Sequence, residues 1–108
     1  MLTISSAPQG NSLVIALAGR IDAANAKNLE QYCLEQIDGG AIRLIFDFTA
    51  VNYISSAALR VFLVIAKRLN SLQGSVKLCA LNTLLRDVFD ISGFAKLFVI
   101  TATVQEAL

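Results

Sequence analysis

The sequence predicts an α/β domain on a mixed, mostly parallel central sheet of about five strands, with an N-terminal antiparallel hairpin and helices packed on the sheet. Three observations carry this. Strand-like and helix-like segments alternate from residue 12 onward, the pattern of β-α-β units with right-handed crossovers. A turn-forming cluster, Pro8-Gln9-Gly10-Asn11, separates the first two strand-like runs and marks a hairpin. The 108 residues are 56% hydrophobic and 16% charged, enough apolar material for a core without metal or disulfide staples. No linker, repeat or low-complexity tract interrupts them, so one domain over residues 1–108 is expected.

Each element has its own signal. Leu2 to Ser6 and Ser12 to Ala18 read as the hairpin strands, and Gly19-Arg20-Ile21-Asp22 ends the second. Asp22 or a near neighbour is placed to cap a helix whose apolar positions Ala26, Leu29, Cys33 and Ile37 recur at helical spacing. Lys27, Glu30 and Glu35 face water, and Asp38-Gly39-Gly40 stops the helix. Ala41 to Phe48 is a nearly continuous apolar run, predicting a strand covered on both faces.

A second helix is predicted from Ser56 to Asn70, with a loop at Ser71-Leu72-Gln73-Gly74 and a strand over Ser75 to Ala80. On that helix Leu59, Phe62, Leu63, Ala66 and Leu69 share one face, with Val61 and Ile65 beside them. Arg60, Val64, Lys67 and Ser71 fall opposite. Asn82 caps a third helix carrying Leu85, Val88 and Phe89, which ends near Ser92-Gly93. Lys96 to Thr101 reads as the last strand, and Thr103 to Leu108 as a short terminal helix.

Composition narrows the function. There is no histidine, which removes Ser-His-Asp and Cys-His activation and most zinc and iron sites. Net charge is +1 with no basic block, so nucleic acid is not an expected partner. The longest apolar helical run, Ala57 to Ala66, is broken by Arg60 and too short for a bilayer. No membrane insertion is expected, and with no signal-peptide pattern at the start a cytoplasmic protein is the default. Cys33 and Cys79 have no metal-type spacing and read as buried small hydrophobes in a reducing compartment. Gly39-Gly40 lacks the Lys-Ser/Thr of a P-loop. Asp22 and Asp47 belong to different segments, and Asp87 and Asp90 fall on the solvated side of the third helix. The apolar surplus leaves surface for a partner, a second copy of the chain included.

The candidate site is the run Asn52-Tyr53-Ile54-Ser55-Ser56-Ala57-Ala58-Leu59-Arg60, where a strand hands over to a helix. Helix starts expose backbone N–H groups and a partial positive charge, which suits an anion or a phosphorylated side chain. Three roles exist for the serines. One is an N-cap. A catalytic nucleophile is poorly supported without histidine or a Gly-x-Ser-x-Gly elbow. The third is a phosphoacceptor, whose added charge the helix start and Arg60 would tolerate while an acidic or apolar partner would not. Cap and acceptor both remain open on the residues alone.

Four segments in order resemble the STAS domain family, named for sulfate transporters and anti-sigma factor antagonists. Gly19-Arg20-Ile21-Asp22 is similar to its Gly-x-Leu/Ile-Asp segment, and Leu44-Ile45-Phe46-Asp47-Phe48 to its central strand. Tyr53-Ile54-Ser55-Ser56-Ala57-Ala58-Leu59 resembles its aromatic-x-Asp/Ser-Ser-Ser/Ala-Gly-Leu signature. Phe89-Asp90-Ile91-Ser92-Gly93-Phe94 resembles its Phe-x-x-Ser/Thr-Gly-Leu/Phe segment.

The likeness is strongest to stand-alone bacterial anti-sigma factor antagonists, and it implies partner switching. Ser56 matches the serine that a kinase phosphorylates; Ser55 stands where many members carry Asp, and Ala58 where they carry Gly. The implied partners are an anti-sigma factor that is also a serine kinase of the histidine-kinase-like ATPase type, and a phosphatase. ATP and Mg²⁺ then belong to the kinase; the domain is not an enzyme and needs no cofactor. The implied contact surface is Asp22, Ser55, Ser56, Ala57, Ala58, Arg60 and Val64. The alternatives are a non-phosphorylated subunit of a lipid-transport or stress-signalling complex, and a small-ligand-binding domain of the same family.

Overall fold

The computed structural model describes all residues, 1–108. Five strands form one sheet in the order β1-β2-β3-β4-β5. β1 (Leu2–Gln9) and β2 (Ser12–Ile21) are antiparallel; β3 (Arg43–Ile54), β4 (Ser75–Cys79) and β5 (Val99–Thr101) continue the sheet in parallel. The mixed, mostly parallel sheet inferred from the alternation is therefore present.

The hairpin is longer than its sequence signals. Pro8 and Gln9 are paired with Leu13 and Ser12, so the turn shrinks from four residues to Gly10 and Asn11, with Gly10 at φ +61°. β1 is an edge strand, where a proline costs no ladder bond to a second neighbour.

The central strand departs most from expectation. β3 does not end at Phe48 but continues through Thr49 and Asn52 to Ile54. Polar residues interrupt the apolar run there, yet β2 also extends to Ile21 and supplies the partner ladder, with register shifts near Ala18 and Gly19. Val51 (2% exposed) and Ile54 (5%) keep the extension anchored. Nor is β3 covered evenly on both faces. Leu44, Phe46 and Phe48 enter the main core, Ile45 lies on the opposite face, and Asp47 is half-exposed.

Helices α1 (Ala26–Asp38), α2 (Ser56–Ser71) and α3 (Thr83–Ile91) contribute to that main core. The α1 positions Ala26, Leu29, Cys33 and Ile37 are all buried, as their spacing predicts. On α2 the buried set is Ala58, Leu59, Val61, Phe62, Ile65 and Leu69. Leu63 and Ala66 are only half-buried, so the buried stripe is rotated slightly toward Val61 and Ile65. An exposed ion pair, Arg68 to Asp38 at 3.1 Å, ties α2 to α1 and is worth at most about 1 kcal/mol.

Asn82 caps α3, its side chain accepting from the Leu85 N–H at 2.9 Å. Lys96 and Leu97, predicted to begin the last strand, instead close a 3₁₀ turn, Phe94–Leu97, and only Val99–Thr101 pairs with β4. Thr103 caps α4 (Val104–Ala107) through the Glu106 N–H. Ala107, with Val104 packed alongside, covers a small second cluster of Val14, Ile45 and Cys79. No helix is long and apolar enough to cross a membrane.

Both thiols are buried and unpaired by disulfides. Burial pushes the Cys33 thiol up to about 12. Burial, and secondarily the Asp47 carboxylate, push Cys79 up to about 11. Because folding raises both values, the stability they contribute is complete below the ordinary thiol range. It is lost as pH climbs from about 9 toward these values.

Candidate functional site

Three loops meet the C-terminal ends of the parallel strands β2, β3 and β4, the end where α/β sheets place their binding sites. The first is Asp22–Asn25. Asp22 does not cap α1. Its Oδ1 accepts from the Ala24 N–H at 3.0 Å and the Asn25 N–H at 3.2 Å. Asn25 holds the cap position but turns its side chain away from the helix. Its Oδ1 accepts from the Asp22 N–H and its Nδ2 donates to the Arg20 carbonyl. Two short polar side chains thus lock each other across the turn, because each can bond to backbone two or three residues away. Just before it, Gly19 sits at φ +102°, where a Cβ would collide with the Met1 carbonyl oxygen. That explains the glycine at the start of Gly19-Arg20-Ile21-Asp22.

The second loop is a single residue. Ser55 stands between the end of β3 and the start of α2, with φ −93° and ψ 166°. Its N–H donates to the Ile21 carbonyl at 2.9 Å, fastening it to β2. Its Oγ accepts from the Ala58 N–H at 3.2 Å, and its carbonyl accepts from Leu59. Ser55 is therefore the N-cap. Ser56 follows as the first helical residue, exposed, and its hydroxyl takes part in no hydrogen bond within the protein. No acidic residue occupies the first turn of α2, so the partial positive charge of the helix start is not offset there.

The third loop precedes α3. Asn82 Nδ2 donates to the Val51 carbonyl at 3.4 Å while its Oδ1 caps the helix, so the same side chain links this loop to β3.

The residues expected on a contact surface divide. Ser56, Ala57 and Arg60 are exposed, Val64 is 42% exposed, and Ser55 and Asp22 are half-buried. Ala58 is different: at 0% exposure it belongs to the core cluster. Its expected place on the contact surface is corrected, because the small side chain there meets the domain's own interior. Ser56, Arg60, Val64, Lys67 and Ser71 run down the outward side of α2 at helical spacing.

Two neighbours escaped the sequence reading. The Arg20 guanidinium carbon lies 4.2 Å from the centroid of the Tyr53 ring, the two being register partners on β2 and β3. Such an exposed cation–π contact is worth about 0.5–1 kcal/mol and places a cation and a 38%-exposed aromatic ring at the strand ends leading to the serines. Arg20 lies in the Gly19–Asp22 segment and Tyr53 in the Tyr53–Leu59 segment, but only the extended register pairs them.

No three His, Cys, Asp or Glu side chains gather into a set that could hold a metal. The arrangement offers an exposed hydroxyl on a rigid helix start, with basic and apolar side chains beside it, which suits modification and docking.

The cap assignment is testable by itself. Ser55→Ala is expected to lower unfolding free energy by about 1 kcal/mol, whereas Ser56→Ala stays within about 0.5 kcal/mol of the parent. Urea denaturation of both variants reads the difference; equal losses would mean that Ser55 is not the cap.

Comparison with known proteins agrees with this architecture. The chain is 41% identical over 95 residues to BtrV of Bordetella bronchiseptica, a candidate anti-sigma factor antagonist, covering 88% of this chain and 82% of that one. The fold superimposes on the crystal structure of a candidate anti-sigma factor antagonist of Thermotoga maritima with a TM-score of 0.92. The identity is 18%, over 96% of this chain and 90% of the other. It also superimposes on the Bacillus cell fate determinant SpoIIAA in its phosphorylated form, with a TM-score of 0.76 and 20% identity over 97% and 96% of the two chains. The STAS domain profile matches residues 4–107, so the chain belongs to the STAS domain family.

Proposed function

We propose that this protein is an anti-sigma factor antagonist that acts by binding alone, and that Ser56 is its switch. In the unmodified state the outward side of α2 and the adjoining strand ends bind an anti-sigma factor that is also a serine kinase of the histidine-kinase-like ATPase type. Phosphorylation of Ser56 breaks the complex, and a phosphatase restores it. The likeness to BtrV supports the regulatory class, and the phosphorylated form of SpoIIAA supports the chemistry.

One observation carries the choice of residue: Ser55 Oγ is engaged as a cap whereas Ser56 Oγ is exposed and unbonded. Esterifying Ser55 would weaken an oxygen that the helix start uses as an acceptor. A phosphoryl group on Ser56 adds about −1.5 to −2 charges next to free helix N–H groups and one turn from Arg60, which the domain tolerates. A partner packed over the same place would have to desolvate that charge.

The test is to incubate wild type, Ser55→Ala and Ser56→Ala with a histidine-kinase-like ATPase recovered with the protein from its native cells, with ATP and Mg²⁺. Intact mass should rise by one phosphate in wild type and Ser55→Ala and not in Ser56→Ala. Phosphate on Ser56→Ala, or on none of the three, would overturn the assignment.

A further inference from the structure

A groove of about 390 Å³ lies between the C-terminal half of α2 and the β4–β5 edge of the sheet, away from the Ser56 end of the helix. Its floor and walls are Leu63 and Ala66 of α2, Val76 of β4, Leu97 and Val99. Leu97 and Val99 are 60% and 55% exposed, so apolar surface is left in water along the whole cleft, and the volume falls in the range of small-ligand sites. At its rim stand Lys67 and Asn70, three residues apart and therefore neighbours on the helix.

Neither of those side chains is engaged. Lys67 enters neither ion pair of the protein, both side chains are exposed, and no Asp or Glu lines the groove. An ammonium and an amide side by side at the edge of an apolar trough offer donors to one carboxylate. Leu63 to Asn70 spans about 10 Å along the helix axis, roughly the reach of an eight-carbon chain.

We propose that this groove binds an amphipathic monoanion, a carboxylate bearing a short acyl chain, with Lys67 and Asn70 at the head and Leu63, Val76, Leu97 and Val99 along the tail. The site lies toward the C-terminal end of α2, shares Lys67 with the outward side of that helix and makes no use of the Ser56 hydroxyl. The lining supplies one cation and is mostly apolar, with Gly74 beside the side chains, so a singly charged head suits it better than a divalent or bulky polar anion.

The experiment is a ¹H–¹⁵N NMR titration of the full chain with sodium octanoate, with octylammonium and octanol as controls. Octanoate is expected to move the amides of Leu63 to Val76 and Leu97 to Val99, and Ser56→Ala should titrate as wild type does. Lys67→Glu, an exposed substitution outside the core, should weaken binding about tenfold or more, the loss of one charge-assisted contact. Octylammonium should leave the groove amides in place.

Four results would overturn the proposal. They are no groove response to octanoate, equal binding by Lys67→Glu, and octanol binding as well as octanoate. The fourth is movement of the same amides on diluting the ligand-free protein, which would assign the groove to a second copy of the chain.

Discussion

Ser56→Asp is expected to weaken binding of the kinase-type partner by about two orders of magnitude or more, while leaving the domain folded. The two effects separate because they involve different surroundings. Within the domain, a carboxylate at the first position of α2 meets free helix N–H groups and gains about 0.3–1 kcal/mol from them. No acidic residue is already there to oppose it. In a complex the same charge is buried against a surface that evolved against a hydroxyl, and stranding a charge at an interface costs about 2–5 kcal/mol. Every 1.4 kcal/mol is tenfold in affinity. Titration calorimetry or surface plasmon resonance against the purified ATPase, with Ser56→Ala as the uncharged control, measures the ratio. Equal affinities for the two variants would remove the switch, even if the protein still bound its partner.

Phe62→Ala is expected to cost about 3–5 kcal/mol. Phe62 lies on the inward side of α2, at 0% exposure. Its ring meets Phe46 edge-on at 5.0 Å, Phe48 at 5.5 Å and Phe89 at 6.4 Å, so one side chain joins the central strand, α2 and α3. Truncation removes apolar contact from three elements together and leaves a void that a sheet and two helices cannot close. Against a typical domain stability of 5–15 kcal/mol, that loss should bring the urea midpoint close to zero denaturant or abolish cooperative unfolding. Val64→Ala, on the outward side of the same helix, should change stability by less than about 0.5 kcal/mol. A loss below about 1 kcal/mol at Phe62 would contradict its central place in the core.

Local chemistry made most of the fold legible. The α1 stripe, the Asn82 cap and the terminal helix follow from spacing and cap preference within a few residues of chain. What eluded the sequence depended on distant partners. Thr49 to Tyr53 has no apolar run of its own, and it is strand because Ala18 to Ile21 pairs with it. Lys96 and Leu97 have the composition of a strand start, yet they lie in a 3₁₀ turn that ends before pairing begins.

The site divides in the same way. The two adjacent serines are visible in the sequence, but which of them caps the helix rests on where one oxygen points in the first turn of α2. Ala58 reads as a surface residue by its neighbours and is interior by its angle on the helix. Arg20 and Tyr53 are 33 positions apart in sequence order, and only register brings them together.

The one-residue passage from β3 to α2 has a consequence for how a signal could leave this domain. Ser55 is held by its N–H on β2, by its Oγ on the helix and by Ile54 in the core. The backbone carrying Ser56 therefore has little freedom to lose, and a partner docking there would meet a surface set in advance. A mark placed there would act as a printed character does, read or refused where it stands, with no lever behind it to carry the message through the fold.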